Sequence, residues 1–67
     1  MDAAEKGALY ARVFRKAGVL LARGRIARAI EVLEEGRVLA EREGDHGMAR
    51  RFAAEAERAS RPAQSSE

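Results

Sequence analysis

The sequence predicts an all-α protein, an antiparallel helical hairpin followed by a short third helix, and three observations carry that reading. Apolar residues keep helical spacing on both sides of Gly24: Tyr10, Val13, Phe14, Ala17, Leu20 and Leu21 before it, Ile26, Ala29, Ile30 and Leu33 after it. Steps of three and four residues place each set on one face of a helix. Glycine then punctuates the pattern at Gly24 and Gly44, where the backbone can take the left-handed conformation that ends a helix cheaply. Proline, which breaks helices, is absent until Pro62.

The first helix should begin near residue 3, because Asp2 followed by Glu5 resembles a capping box, with Asp2 accepting from a backbone N–H left free at the helix start and Glu5 favoured near the positive end of the helix dipole. It should run to about Arg23 and stop at Gly24. The second should span Arg25 to about Glu43 and stop at Gly44. Asp45 is a good N-cap for a third helix from about His46 to Ala59, halted before Pro62. Residues 1 to 60 are thus expected to form one helical module, and residues 61 to 67, RPAQSSE, a disordered polar tail. In the second helix, Val32 and Leu39 form a stripe beside the seam of Ile26, Ala29, Ile30, Leu33 and Gly36, so this helix should be contacted on two sides. The third helix offers Met48, Phe52, Ala56 and Ala59, a thin seam because alanine buries little area.

A chain of 67 residues is one domain at most, and a domain of this size buries only about 60% of the surface its unfolded chain exposes. Small scaffolds add disulfides, a metal or a partner to compensate. With no cysteine and one histidine, oligomerisation is the remaining support. The lack of cysteine fits a reducing compartment, and the acidic, helical N-terminus lacks the regions of a secretory signal, so the expected location is the cytoplasm. The longest uncharged run, Ala17 to Ala22, falls far short of the roughly 20 apolar residues of a membrane span. No membrane association is expected.

The hinge resembles a tetratricopeptide repeat, whose pattern is W-x2-L-G-x2-Y in the first helix and A-x3-F followed by P in the second. The corresponding residues are Val13, Lys16, Ala17 and Leu20, then Gly24 at the turn, Ile26, Ala29 and Leu33. Small residues in each helix, Ala17 and Ala29, with Gly36 further on, permit close approach of two helix axes. Lys16 stands where the family has leucine, and Glu41 where proline ends the repeat. Residues 39 to 50, LAEREGDHGMAR, resemble a longer variant that extends the second helix and turns at Gly-Asp, as Gly44-Asp45 does. Laying Ala17 over Ala56 also superposes Leu9 on Met48 and Val13 on Phe52, so the third helix looks like the first helix of a second, incomplete repeat.

The resemblance implies binding of peptides or partner proteins on the surface made by the first helices, here Ala11, Phe14, Gly18, Leu21 and Ala22. Family members that clamp a peptide's C-terminal carboxylate use lysine and asparagine on this face. Phe14 and Gly18 stand there instead, so no such clamp is expected. The interface expected from Leu9, Phe14, Gly18, Leu21 and Ala22 is an apolar groove or a self-association face, most simply a two-fold dimer in which the patch faces itself; the alternative is that Phe14 and Leu21 belong to the internal core.

Charge is unevenly divided, with seven basic residues and no acid from Lys6 to Ile30, and six acids against Arg37 and Arg42 from Glu31 to Asp45. Arg12, Arg15, Lys16 and Arg23 should form a basic patch on the first helix. Its simplest reading is a solvated face balanced by the neighbouring acidic helix; it could also meet the acidic surface of another protein, while phosphates are disfavoured because aromatics that stack on bases are scarce. His46 lacks companions with metal-ligand spacing, and Glu31, Glu34 and Glu35 sit at ordinary helix-surface intervals. With no nucleophile beside a base and no glycine-rich phosphate loop, catalysis, cofactors and a metal site are not expected. The sequence points to a protein–protein interaction module, an adaptor or small accessory subunit that associates with itself. A stabilising or regulatory subunit of a larger enzyme is the closest rival, and a basic helical nucleic-acid binder is a distant one.

Overall fold

The computed structural model describes residues 1–61 and consists of three α-helices, α1 (Ala3–Ala22), α2 (Ile26–Arg42) and α3 (His46–Ser60). The tail expected to be disordered lies outside the described residues beyond Arg61. At the start of α1 the capping box is complete, since the Glu5 N–H donates to Asp2 Oδ1 at 2.8 Å and the Asp2 N–H donates to Glu5 Oε1 at 3.1 Å.

Both turns are built the same way. The Gly24 N–H donates to the Leu21 carbonyl at 3.0 Å and the Arg25 N–H to the Leu20 carbonyl at 2.8 Å; Gly44 to Glu41 and Asp45 to Ala40 repeat the pair at 3.0 and 2.8 Å. This nested pair satisfies carbonyls that a helix end would otherwise leave free, and it needs a left-handed residue after the cap. Gly24 and Gly44 supply it, with φ of 75° and 79°. Because a side chain costs roughly 1–2 kcal/mol there, Gly24→Val should lower stability by about that amount. Equilibrium urea unfolding checks this, and an unchanged midpoint would contradict the turn geometry.

Helix α2 packs against both α1 and α3, as its two apolar stripes require. The buried hydrophobic core comprises Tyr10, Ala17 and Leu20 from α1, Ala29, Val32, Leu33 and Ala40 from α2, and Ala49, Phe52 and Ala56 from α3. Val13, Phe14, Leu21, Ile30, Leu39 and Met48 pack against it while half-buried. Ile26, expected in the seam, is instead 40% exposed, because it is the first residue of α2 and only one side of a helix start is covered.

Gly36 occupies a place different from the one its position in the hinge suggests. A Cβ built on it would come 2.7 Å from Phe52 Cε1, so the small residue admits an aromatic ring of α3. Asp45 also departs from expectation: it occupies the N-cap position of α3, yet its side chain makes no cap hydrogen bond. No helix among the described residues is long and apolar enough to cross a membrane.

Candidate functional site

The chain has one tyrosine and two phenylalanines, and all three meet in one cluster. Phe52 of α3 is fully buried. Phe14 of α1 stacks on it with ring centroids 4.3 Å apart and planes 10° from parallel, and Tyr10 meets it edge-on at 5.9 Å and 69°. Both are favoured aromatic geometries. The Arg51 guanidinium lies 5.3 Å from the Phe14 ring centroid, within range of a cation–π contact. These long side chains join α1 to α3.

A buried phenol needs a partner for its hydroxyl, and Tyr10 finds one 35 residues away, donating to Asp45 Oδ2 at 2.6 Å. Lys6 Nζ lies 3.3 Å from the same oxygen. One turn of α1 is thereby tied to the α2–α3 turn, which is why the Asp45 carboxylate does not cap its own helix. The Tyr10 hydroxyl is pushed up to about 12, first by the hydrogen bond to Asp45 and then by burial. Asp45 is held below the usual carboxylate range, first by the Tyr10 hydroxyl and then by Lys6.

These shifts fix the sign of the pH dependence. For Asp45 the stabilisation is present above the unfolded carboxylate value of about 3.9 and is lost as pH falls through its lower folded value. For Tyr10 it is present below about 10 and is lost as pH rises through the folded value. Asp45→Asn should therefore be less stable than the parent chain at neutral pH, with the gap closing in strong acid. Urea unfolding across that range tests it; a gap that stays constant would mean that the carboxylate's charge contributes nothing.

Of the residues expected at an interface, Leu9, Phe14 and Leu21 are half-buried, and Gly18 and Ala22 are exposed. Phe14 is not bare, since Phe52 and Arg51 already engage its ring, whereas a Cβ at Gly18 would meet no atom within 4 Å. The face on α1 is thus lined by small residues between half-buried apolar ones.

The basic patch is exposed throughout, at Arg12, Arg15, Lys16 and Arg23. The expected balance with the acidic helix is not made by ion pairing among the described residues. The acids of α2 pair with arginines of the same helix, Arg28 with Glu31 at 3.1 Å and with Glu35 at 3.8 Å, and Arg37 with Glu34 at 2.9 Å. Residues three positions apart on a helix meet without any tertiary adjustment, so the local partner takes the acid first.

Sequence reasoning missed three things here: the Tyr10–Asp45 tie, the burial of Ala40 and Ala49, and the outward position of Val19 and Val38, 50% and 43% exposed. The signal for the first was the phenol in a core stripe, which has to find an acceptor. His46 Nδ1 lies 3.2 Å from Glu41 Oε1, both side chains being exposed, and among the described residues no three histidines, cysteines or acids gather as metal ligands. Comparison of the chain with family models, with curated proteins and with solved structures finds no match.

Proposed function

We propose that this chain is a repeat-like, cytoplasmic protein–protein interaction module, an adaptor or small accessory subunit that also associates with itself. The observation that supports it is a core too thin for the chain's exposed apolar surface. Ten hydrophobic residues are buried and five of them are alanine, and alanine removes little apolar area from water. Meanwhile the α1 face of Leu9, Phe14, Gly18, Leu21 and Ala22 offers a shallow, small-residue surface on which a partner helix can lie close. In this reading that face receives a partner protein.

Two measurements test the proposal. Sedimentation of the pure chain at micromolar concentration should give twice the 7.3 kDa chain mass. The untagged protein should also co-purify with a partner in fixed ratio, and Gly18→Arg, which places a long side chain in open space, should abolish that capture while leaving the circular dichroism unchanged. A monomer that retains no partner in either form would overturn the reading.

A further inference from the structure

Two outward stripes on neighbouring helices share one spacing and carry opposite charge. On α1 it runs Arg12, Arg15, Lys16, Val19; on α2, nineteen residues later, Glu31, Glu34, Glu35, Val38. All eight side chains are exposed. The steps of three, one and three residues place each set on one side of its helix, with a valine closing a patch of like charges. Val38 also lines an open groove of about 380 Å³ together with Glu34, Glu35, Leu39 and Arg42.

From this match we infer that α1 of one copy docks on α2 of a second copy, with the two helices parallel and Val19 seated at Val38. In that register Arg12 stands level with Glu31, and Arg15 and Lys16 stand level with Glu34 and Glu35. The glutamates' own partners, Arg28 and Arg37, are half-buried neighbours on the same helix, and each carboxylate keeps lone pairs for a second cation. Arg12, Arg15 and Lys16 have no ion-pair partner among the described residues. Arg23 and Arg42 fall level beyond the valines and repel, which confines the contact to the two turns before them.

The charges also decide which stripes can meet. If α1 faced α1 across a two-fold axis through this stripe, Arg12, Arg15 and Lys16 would meet the same cations; α2 on α2 would bring three glutamates against three. Only α1 on α2 puts opposite charges together beside a pair of valines. The inference rests on the self-association proposed above and assigns it to a surface other than the Phe14 face, whose aromatic ring is already engaged within the chain.

The test is a charge exchange in the full chain, read by sedimentation at low and high salt. One variant carries Arg12→Glu, Arg15→Glu and Lys16→Glu; the other carries Glu31→Lys, Glu34→Lys and Glu35→Lys. The parent chain should associate at low salt and dissociate as salt rises. Each variant alone should be monomeric, and an equimolar mixture should associate again, because each then offers the other an oppositely charged stripe. Circular dichroism reports folding. Lys16→Glu with Glu35→Lys repeats the exchange while leaving the Arg28–Glu31 and Arg37–Glu34 pairs in place. If the parent associates and both variants still do, this surface is wrong while self-association stands. A parent that remains monomeric at low salt removes both. If the parent instead binds a short DNA duplex as a monomer and the α1 variant does not, the stripe is a nucleic-acid face and the docking is overturned.

Discussion

Phe52→Ala should leave the chain largely unfolded in water. The ring is 0% exposed, carries Phe14 on its face and Tyr10 at its edge, and fills the space that Gly36 leaves open. Truncating a buried phenylalanine costs about 3–5 kcal/mol through lost transfer energy and the cavity that remains. A single core in a scaffold this small rarely supplies more than about 3–5 kcal/mol in total, so one substitution consumes the whole margin. Thermal unfolding followed by circular dichroism should show a weak, sloping signal in place of a cooperative transition. Phe14→Ala should do less, because that ring is only half-buried and its loss opens towards solvent. A cooperative melt near the parent temperature for Phe52→Ala would mean that α3 contributes little to the core.

Gly36→Ala should destabilise although alanine is the better helix former. Elsewhere in a helix the change gains about 0.5–1 kcal/mol. At Gly36 the new methyl would stand 2.7, 2.8 and 2.9 Å from three atoms of the Phe52 ring, closer than carbon atoms approach, and that ring is enclosed by α1 aromatics. Forcing extra atoms into a filled core costs typically about 1–3 kcal/mol, which outweighs the helix gain. Gly18→Ala is the control: nothing stands within 4 Å of its Cβ, so it should raise stability by about 0.5–1 kcal/mol. Urea midpoints measured side by side should therefore move in opposite directions. Movement of both upward would show that Phe52 can withdraw from Gly36.

From sequence, a basic first helix beside an acidic second one reads as two faces that neutralise each other across the hairpin. The arginines of α2 reach its own acids at three-residue spacing, and closing such a pair requires no tertiary contact. Among the described residues Arg12, Arg15 and Lys16 are left without an ion-pair partner and exposed, which is the observation behind the proposed α1-on-α2 docking.

Everything whose cause lies within a few residues is legible in the chain alone: three helices, the capping box at Asp2 and Glu5, and turns at Gly24 and Gly44, where backbone sterics leave glycine as the residue of choice. The spacing of Val32 and Leu39 beside Ala29 and Leu33 was also enough to require that α2 be covered on two sides. Which group meets which follows from how the three helices pack. Tyr10 reads as one more apolar residue until its hydroxyl reaches Asp45 across 35 positions, and Asp45 reads as a cap until Tyr10 and Lys6 claim its carboxylate. Gly36 reads as a small residue between two hairpin helices until the third helix places Phe52 against it. Local steric preference is written in adjacent residues, whereas the partner of a buried ring or a buried hydroxyl is chosen by the packing of all three helices at once.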